Sequence, residues 1–69
     1  MNNFSWIEVI YAGGFSIKID FAEKQMQQEA IALCNAFLGT SESITIDTGL
    51  NVKYVLNFSH IEAYAFQVK

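Results

Sequence analysis

The side chains that could do chemistry are few in this sequence, and most of them lie around one predicted turn. Asn57, Ser59, His60 and Glu62 fall within six residues, and His60 is the only histidine. A metal centre needs three or four ligands, and a hydrolytic triad needs an orienting acid and an oxyanion site. Asn and Ser are typical of turns, where they bond to nearby backbone groups. We therefore predict a turn here, with no metal site and no catalytic residue.

A second candidate is the stretch ITIDTG, residues 44–49, an apolar strand that ends in Asp-Thr-Gly. It resembles the aspartic-protease signature, in which two such carboxylates share a proton and activate water. The resemblance covers six residues, and Leu50 follows Gly49 where a small residue would be expected. Asp and Gly are also common turn residues. We interpret Asp47 and Gly49 as turn residues, and we expect no enzyme activity.

The single cysteine, Cys34, excludes an internal disulfide and is predicted to be a small buried hydrophobic side chain. The chain has four lysines, no arginine, seven acidic residues and a net charge of −3. Nucleic-acid binding draws on clustered Lys and Arg, so we expect no nucleic-acid partner. Nothing in the pattern indicates a cofactor.

The sequence favours a small cytoplasmic protein. No apolar run approaches the roughly 18 residues that span a membrane, and the first residues show neither a basic region nor a cleavage site. The chain has 69 residues, which predicts one domain, residues 1–69. The lack of arginine and proline is typical of an AT-rich microbial source.

One helix is predicted over residues 20–39, and the strands need it as a cover. Asp20 and Glu23 have the spacing of a capping box, and Gly39 is a natural C-terminal stop. Residues at steps of three and four form an apolar stripe predicted to face the core: Ala22, Met26, Ala30, Leu33 and Phe37, widened by Cys34 and Leu38. The opposite face is predicted to be polar: Glu23, Lys24, Gln27, Gln28, Glu29 and Asn35.

Two strands precede this helix and form a hairpin. Residues 4–11 and 15–19 are rich in apolar and β-branched side chains, and Ala12-Gly13-Gly14 separates them. A three-residue loop that ends in glycine suits a type I turn with a glycine bulge. This loop places Val9 opposite Ile17 and Ile7 opposite Ile19, so one face of the hairpin is wholly apolar.

Three strands are predicted after the helix: residues 43–46, 50–57 and 61–68. A loop of Asp47-Thr48-Gly49 would place Ile46 opposite Leu50 and Ile44 opposite Val52. The fold is therefore predicted as α+β, in the order ββαβββ, with one helix on one face of a mainly antiparallel five-stranded sheet. The first strand can neighbour either the third or the last strand, because both arrangements satisfy the strand directions.

A single helix covers one face of such a sheet, so the other face needs a different cover. The predicted apolar residues of that second face, our interface candidates, are Trp6, Ile10, Val55, Tyr64, Phe66 and Val68. Closed symmetric dimers dominate soluble oligomers, so a second copy is the simplest cover and a partner protein is the alternative. We predict a homodimeric protein-interaction module without catalytic activity. The alternative function is small-ligand binding, in a pocket between helix and sheet or at a dimer seam.

Overall fold

The computed structural model describes residues 5–67, which form five strands and one α-helix in the order ββαβββ. A short 3-10 helix, Phe58–His60, precedes the last strand. The predicted α+β class, with one helix packed on a mainly antiparallel arrangement of five strands, is confirmed. The strands are β1 (Ser5–Tyr11), β2 (Ser16–Phe21), β3 (Ser43–Asp47), β4 (Lys53–Asn57) and β5 (Ile61–Phe66), and the helix α1 is Lys24–Phe37.

The five strands are divided between two sheets. One has three strands in the order β2-β1-β5, so the last strand lies beside the first, and the other is the β3-β4 hairpin. Ile46 and Leu56 on the hairpin are 3% and 1% exposed, and they join the core with the buried residues of β1 and β2. The hairpin and the helix therefore both pack against the buried face of the three-stranded sheet.

The first hairpin follows the predicted register. Ile7 lies opposite Ile19 and Val9 opposite Ile17, as the apolar alternation required. The Tyr11 amide donates to the Phe15 carbonyl oxygen at 2.9 Å, and Gly14 has a φ of 97°. Glycine adopts this left-handed conformation without steric cost, which is the property that the predicted turn depended on.

The helix begins later than the sequence predicted, and the proposed cap at Asp20 is wrong. Asp20 lies in β2 opposite Trp6, and Glu23 is the N-cap, without a side-chain capping bond. The chain stays extended because the Phe21 side chain is 4% exposed in the core and the Ala22 amide donates to the Thr48 carbonyl. Strand packing overrides the capping signal here. At the other end, Gly39 adopts the predicted left-handed conformation, with a φ of 93°.

The buried face of the helix is also rotated relative to the predicted stripe. Gln27 was assigned to the polar face but is 2% exposed, whereas Leu33, assigned to the core, is 36% exposed. The buried positions are Gln27, Ala30 and Cys34. Periodicity alone could not find this face, because a buried polar residue occupies its N-terminal end.

The predicted register of the second hairpin is wrong. Ile46 lies opposite Tyr54 and Ile44 opposite Leu56, which is four residues further along the partner strand than predicted. The loop is longer because Thr48 is buried and its Oγ1 donates to the Val52 carbonyl oxygen at 2.7 Å. A shift by an even number leaves every side chain on its predicted face.

Candidate interaction surface

The polar residues around His60 lie in a turn that includes the short 3-10 helix. The Asn57 Oδ1 atom accepts from the Ser59 amide at 3.1 Å and from the Ser59 hydroxyl at 2.7 Å, which caps the 3-10 helix. His60 is exposed and lies beside Tyr11 and Phe15, whose rings are stacked at a centroid distance of 4.8 Å. Its neighbours are therefore mainly apolar and aromatic.

Asp47 also has a local role. Its Oδ1 atom accepts from the Gly49 amide at 3.0 Å, which fixes the turn after β3, in agreement with the turn interpretation. Across residues 5–67, no group of three or more His, Cys, Asp or Glu side chains is placed to hold a metal ion.

Cys34 is buried in the core, as predicted. Burial raises the pKa of its thiol from 9.0 to about 11, because the charged thiolate would lose its solvation. The thiolate is the nucleophilic form of cysteine, so this environment suppresses reactivity.

Two surface concavities bear on the alternative prediction of ligand binding. A groove of about 270 Å³ lies between the helix and β3, with Ala30 and Ile46 among its apolar residues and Glu29 and Asp47 among its polar ones. A second concavity, of about 320 Å³, lies at the first turn beside Tyr11, Phe15 and His60. The groove corresponds in position to the predicted pocket between helix and sheet.

The six predicted interface residues do not share one face. Trp6 and Ile10 lie on the side of the three-stranded sheet away from the buried Ile7 and Val9, which we call the outer face. Val55 is 70% exposed on the separate hairpin.

Tyr64 and Phe66 were predicted for the same face as Trp6, and this placement is wrong. Val9 pairs with Tyr64 and Ile7 with Phe66, so both rings lie on the helix side of the sheet. The Tyr64 hydroxyl donates to Asn35 Oδ1 on the helix at 3.3 Å, and Phe66 is 40% exposed. Val68 lies outside the described residues. The pairing of β5 with β1 decides on which face Tyr64 and Phe66 lie, and the sequence did not determine that pairing.

The outer face is polar on one side and apolar on the other. Its β2 side carries Ser16, Lys18 and Asp20, and the Ser16 hydroxyl donates to Glu8 Oε2 at 2.6 Å. Its β5 side carries Ala63 and Ala65, which lie opposite Ile10 and Glu8. The apolar part of the outer face is therefore confined to the half that borders β5.

The backbone groups at the free edge of β5 belong to Tyr64 and Phe66. The Gln67 amide donates to the Trp6 carbonyl oxygen at 3.3 Å, so the backbone groups of Gln67 point toward β1. Because backbone groups alternate in direction along a strand, those of Ala63 and Ala65 also point toward β1. The amides and carbonyls of Tyr64 and Phe66 consequently point away from β1. A β-bulge interrupts the pairing near Glu62, where the register shifts between Ile10 and Tyr11.

Charge distinguishes this edge from the other free edges of the described sheets. By the same alternation, each of these edges carries at least one charged residue; the outward backbone groups belong to Ser16, Lys18 and Asp20 on β2, to Ser43, Thr45 and Asp47 on β3, and to Lys53, Val55 and Asn57 on β4. Charged side chains on an edge strand discourage pairing with another chain. At β5 the corresponding side chains are two aromatic rings, with centroids 6.3 Å apart.

We define the β5 surface as residues 63–66 together with Trp6 and Ile10 behind them. It combines an edge whose outward-facing backbone groups belong to uncharged residues, an exposed aromatic ring and the apolar half of the outer face. The sequence signal for it was AYAF, four uncharged residues in a predicted strand, but only the strand order shows that this strand is an edge.

Comparison with protein-family models, with curated proteins and with solved structures finds no match to this chain. Within residues 5–67, none of the helical segments has the length and apolar character needed to cross a membrane.

Proposed function

We propose that this chain is a protein-interaction module that acts as a homodimer, contains no catalytic centre, and uses the β5 surface as its contact surface. The observation that carries this proposal is the edge of β5, where outward backbone groups and the exposed Phe66 ring lie side by side. Addition of a strand to such an edge is a recurring mode of protein recognition.

The local roles of the chemistry-bearing residues support the non-catalytic part of the proposal. Asp47 bonds to its own turn, and Cys34 is buried with a raised thiol pKa of about 11. A nucleophile or general base has to face a substrate in an activated state. Neither the turn around Asp47 nor the buried site of Cys34 presents an activated group to a substrate.

Symmetry favours a second copy as the occupant of the surface. Among the strands within residues 5–67, only the regular part of the β5 edge has aromatic outward-facing residues and no charged one, and a two-fold axis beside it would pair that edge with itself. An isologous contact of this kind would cover both Phe66 rings and leave the charged edge of β2 in solvent.

The oligomeric state in solution tests the proposal. Sedimentation equilibrium should show a concentration-dependent dimer. In a Phe66→Ser variant the dimer dissociation constant should rise by about tenfold or more, because the lost apolar burial occurs twice per dimer. Val55→Ser is the matched control, since Val55 is an exposed apolar residue on the other hairpin. A monomer at all accessible concentrations, or a larger effect of Val55→Ser than of Phe66→Ser, would contradict the proposal.

A further inference from the structure

The outward backbone groups of β5 restrict how two copies can pair. Among the described residues, only Tyr64 and Phe66 have backbone amides and carbonyls that point outward from the regular part of this edge, since Glu62 lies at the bulge. In an antiparallel pair of identical strands, the residues that exchange hydrogen bonds must be outward-facing on both copies. Pairing these two residues with their copies gives three symmetric registers, centred on Tyr64, on Ala65 or on Phe66, and the last does not pair Tyr64 with a described residue.

We infer that the homodimer forms by antiparallel pairing of β5 with the partner's β5, centred on Ala65, so that Tyr64 lies opposite the partner's Phe66. This inference rests on the proposed homodimer and names its geometry. Both outward residues of each copy are then hydrogen-bonded, and together they exchange about four backbone bonds across the seam.

The competing register, centred on Tyr64, places Glu62 opposite the partner's Phe66. It depends on the bulge residue for pairing, and bulges disturb the ladder locally. It would also set a carboxylate against an aromatic ring. The register centred on Ala65 avoids both problems and sets tyrosine against phenylalanine, a favourable cross-strand pair.

The outer side of the seam supports the same register. Ala65 would lie directly opposite the partner's Ala65 in a pair without hydrogen bonds, where the Cα atoms approach to about 4.5 Å. A methyl side chain fits this close approach. The two three-stranded sheets would become one six-stranded sheet, in the order β2-β1-β5 followed by the partner's β5-β1-β2.

Variants with one added cysteine test the register directly. Ala65→Cys should form a disulfide-linked dimer under mild oxidation, because two Cα atoms about 4.5 Å apart are within disulfide reach. Ala63→Cys should not, because the two copies of that residue would be roughly 13 Å apart along the strands. The unaltered protein is the control for Cys34, which is buried.

Amide hydrogen exchange on the unaltered protein provides a second measurement that needs no variant. The Tyr64 and Phe66 amides should exchange roughly tenfold or more slowly at protein concentrations that saturate the dimer, because they enter a ladder. The Ala63 and Ala65 amides already face β1 and should change less.

The possible outcomes separate the inference from the proposed function. Cross-linking of Ala65→Cys alone, with slowed exchange at Tyr64 and Phe66, supports the inference. A cross-link that forms only between Ala63→Cys and Ala65→Cys protomers overturns it in favour of the register centred on Tyr64. A dimer in sedimentation with neither cross-link nor slowed exchange overturns it while the proposed homodimer stands. A monomer overturns both.

Discussion

The side-chain amide of Gln27, on the helix, lies 2.9 Å from the carbonyl oxygen of Trp6, on the central strand. The same nitrogen lies 3.3 Å from the Gln67 carbonyl oxygen, and the Gln67 amide donates to Trp6. One buried glutamine therefore joins three segments that are far apart in sequence. Among the described residues, no buried side-chain nitrogen or oxygen is left without a hydrogen-bond partner. The helix is oriented on the sheet by this polar contact as well as by apolar packing.

Replacement of Gln27 by alanine should destabilise the fold. The change removes two hydrogen bonds and leaves a void where the side chain was buried, so we expect a loss of about 1–3 kcal/mol in the free energy of unfolding. Gln28→Ala is the matched control, because Gln28 is the next residue of the same helix and is exposed. Urea unfolding of the two variants checks this prediction. Equal midpoints would show that the buried contact contributes nothing.

Substitution of Gly49 by alanine should cost more than the same substitution at Gly39. Both glycines have positive φ, 76° and 93°, so both variants carry backbone strain of about 1 kcal/mol. At Gly49 the new Cβ would also lie 2.7 Å from the Met26 Sδ atom and 3.0 Å from the Ala22 Cβ atom, whereas at Gly39 it meets nothing within 4 Å.

The methionine can move, but the Ala22 Cβ atom is fixed to the backbone. We therefore expect Gly49→Ala to lower the melting temperature further than Gly39→Ala, as measured by circular dichroism. A Met26→Ala change added to Gly49→Ala should restore only part of the additional fall in melting temperature, because the contact with the Ala22 Cβ atom remains. Equal melting temperatures for the two glycine variants would contradict the predicted clash.

The buried thiol of Cys34 should make stability fall at alkaline pH. Its pKa is about 11 in the folded protein against an ordinary 9.0, so between these values the unfolded chain loses the proton and the folded chain keeps it. The unfolded state then binds fewer protons, and the free energy of unfolding decreases as pH rises. At pH below 9.0 this contribution is fully present.

Comparison with Cys34→Ala isolates this effect from other groups that titrate in the same range. The stability difference between the two proteins should shrink by about 2 kcal/mol between pH 9 and pH 11, at 1.36 kcal/mol per pKa unit. Denaturant unfolding at several pH values measures it. A difference that stays constant across this range would show that burial does not hold the thiol protonated.

Removal of the Lys18 side chain should expose the only tryptophan. The Lys18 Nζ atom lies 4.7 Å from the centroid of the Trp6 ring, a cation–π contact on the outer face. Lys18→Ala should shift Trp6 fluorescence to longer wavelength and cost about 0.5–1 kcal/mol of stability. Lys53→Ala is the control, because Lys53 lies on the separate β3-β4 hairpin. An identical emission spectrum for Lys18→Ala and the unaltered protein would contradict the contact.

Local patterns predicted those parts of the fold that local chemistry decides. The first hairpin follows from Ala12-Gly13-Gly14 and from the alternation of Val9 and Ile17, because turn type and strand register depend on neighbouring residues. The helix start at Lys24 could not be found this way, since it depends on the long-range bond between Ala22 and Thr48. The same bond restrains the loop that sets the register of the second hairpin.

The candidate surface was predictable only in part. Its aromatic residues, Tyr64 and Phe66, were predicted interface residues because they lie in the last predicted strand, but their face and their position at a sheet edge depend on the pairing of β5 with β1. Two strand orders satisfied the sequence equally well. The difference between them lies in the packing of the second hairpin, which no local pattern encodes.

The division into two sheets has a consequence for motion. A backbone hydrogen bond between the Ala22 amide and the Thr48 carbonyl oxygen ties the β3-β4 hairpin to the segment between β2 and the helix, whereas the bond between Phe58 and Glu42 closes the base of the hairpin itself. Buried side chains, not a shared ladder, supply its remaining attachment. We therefore expect local opening of this unit to cost less free energy than global unfolding, with the three-stranded sheet and its β5 edge intact. Rearrangement of this hairpin would therefore change what the helix side presents to solvent without breaking a contact made through β5.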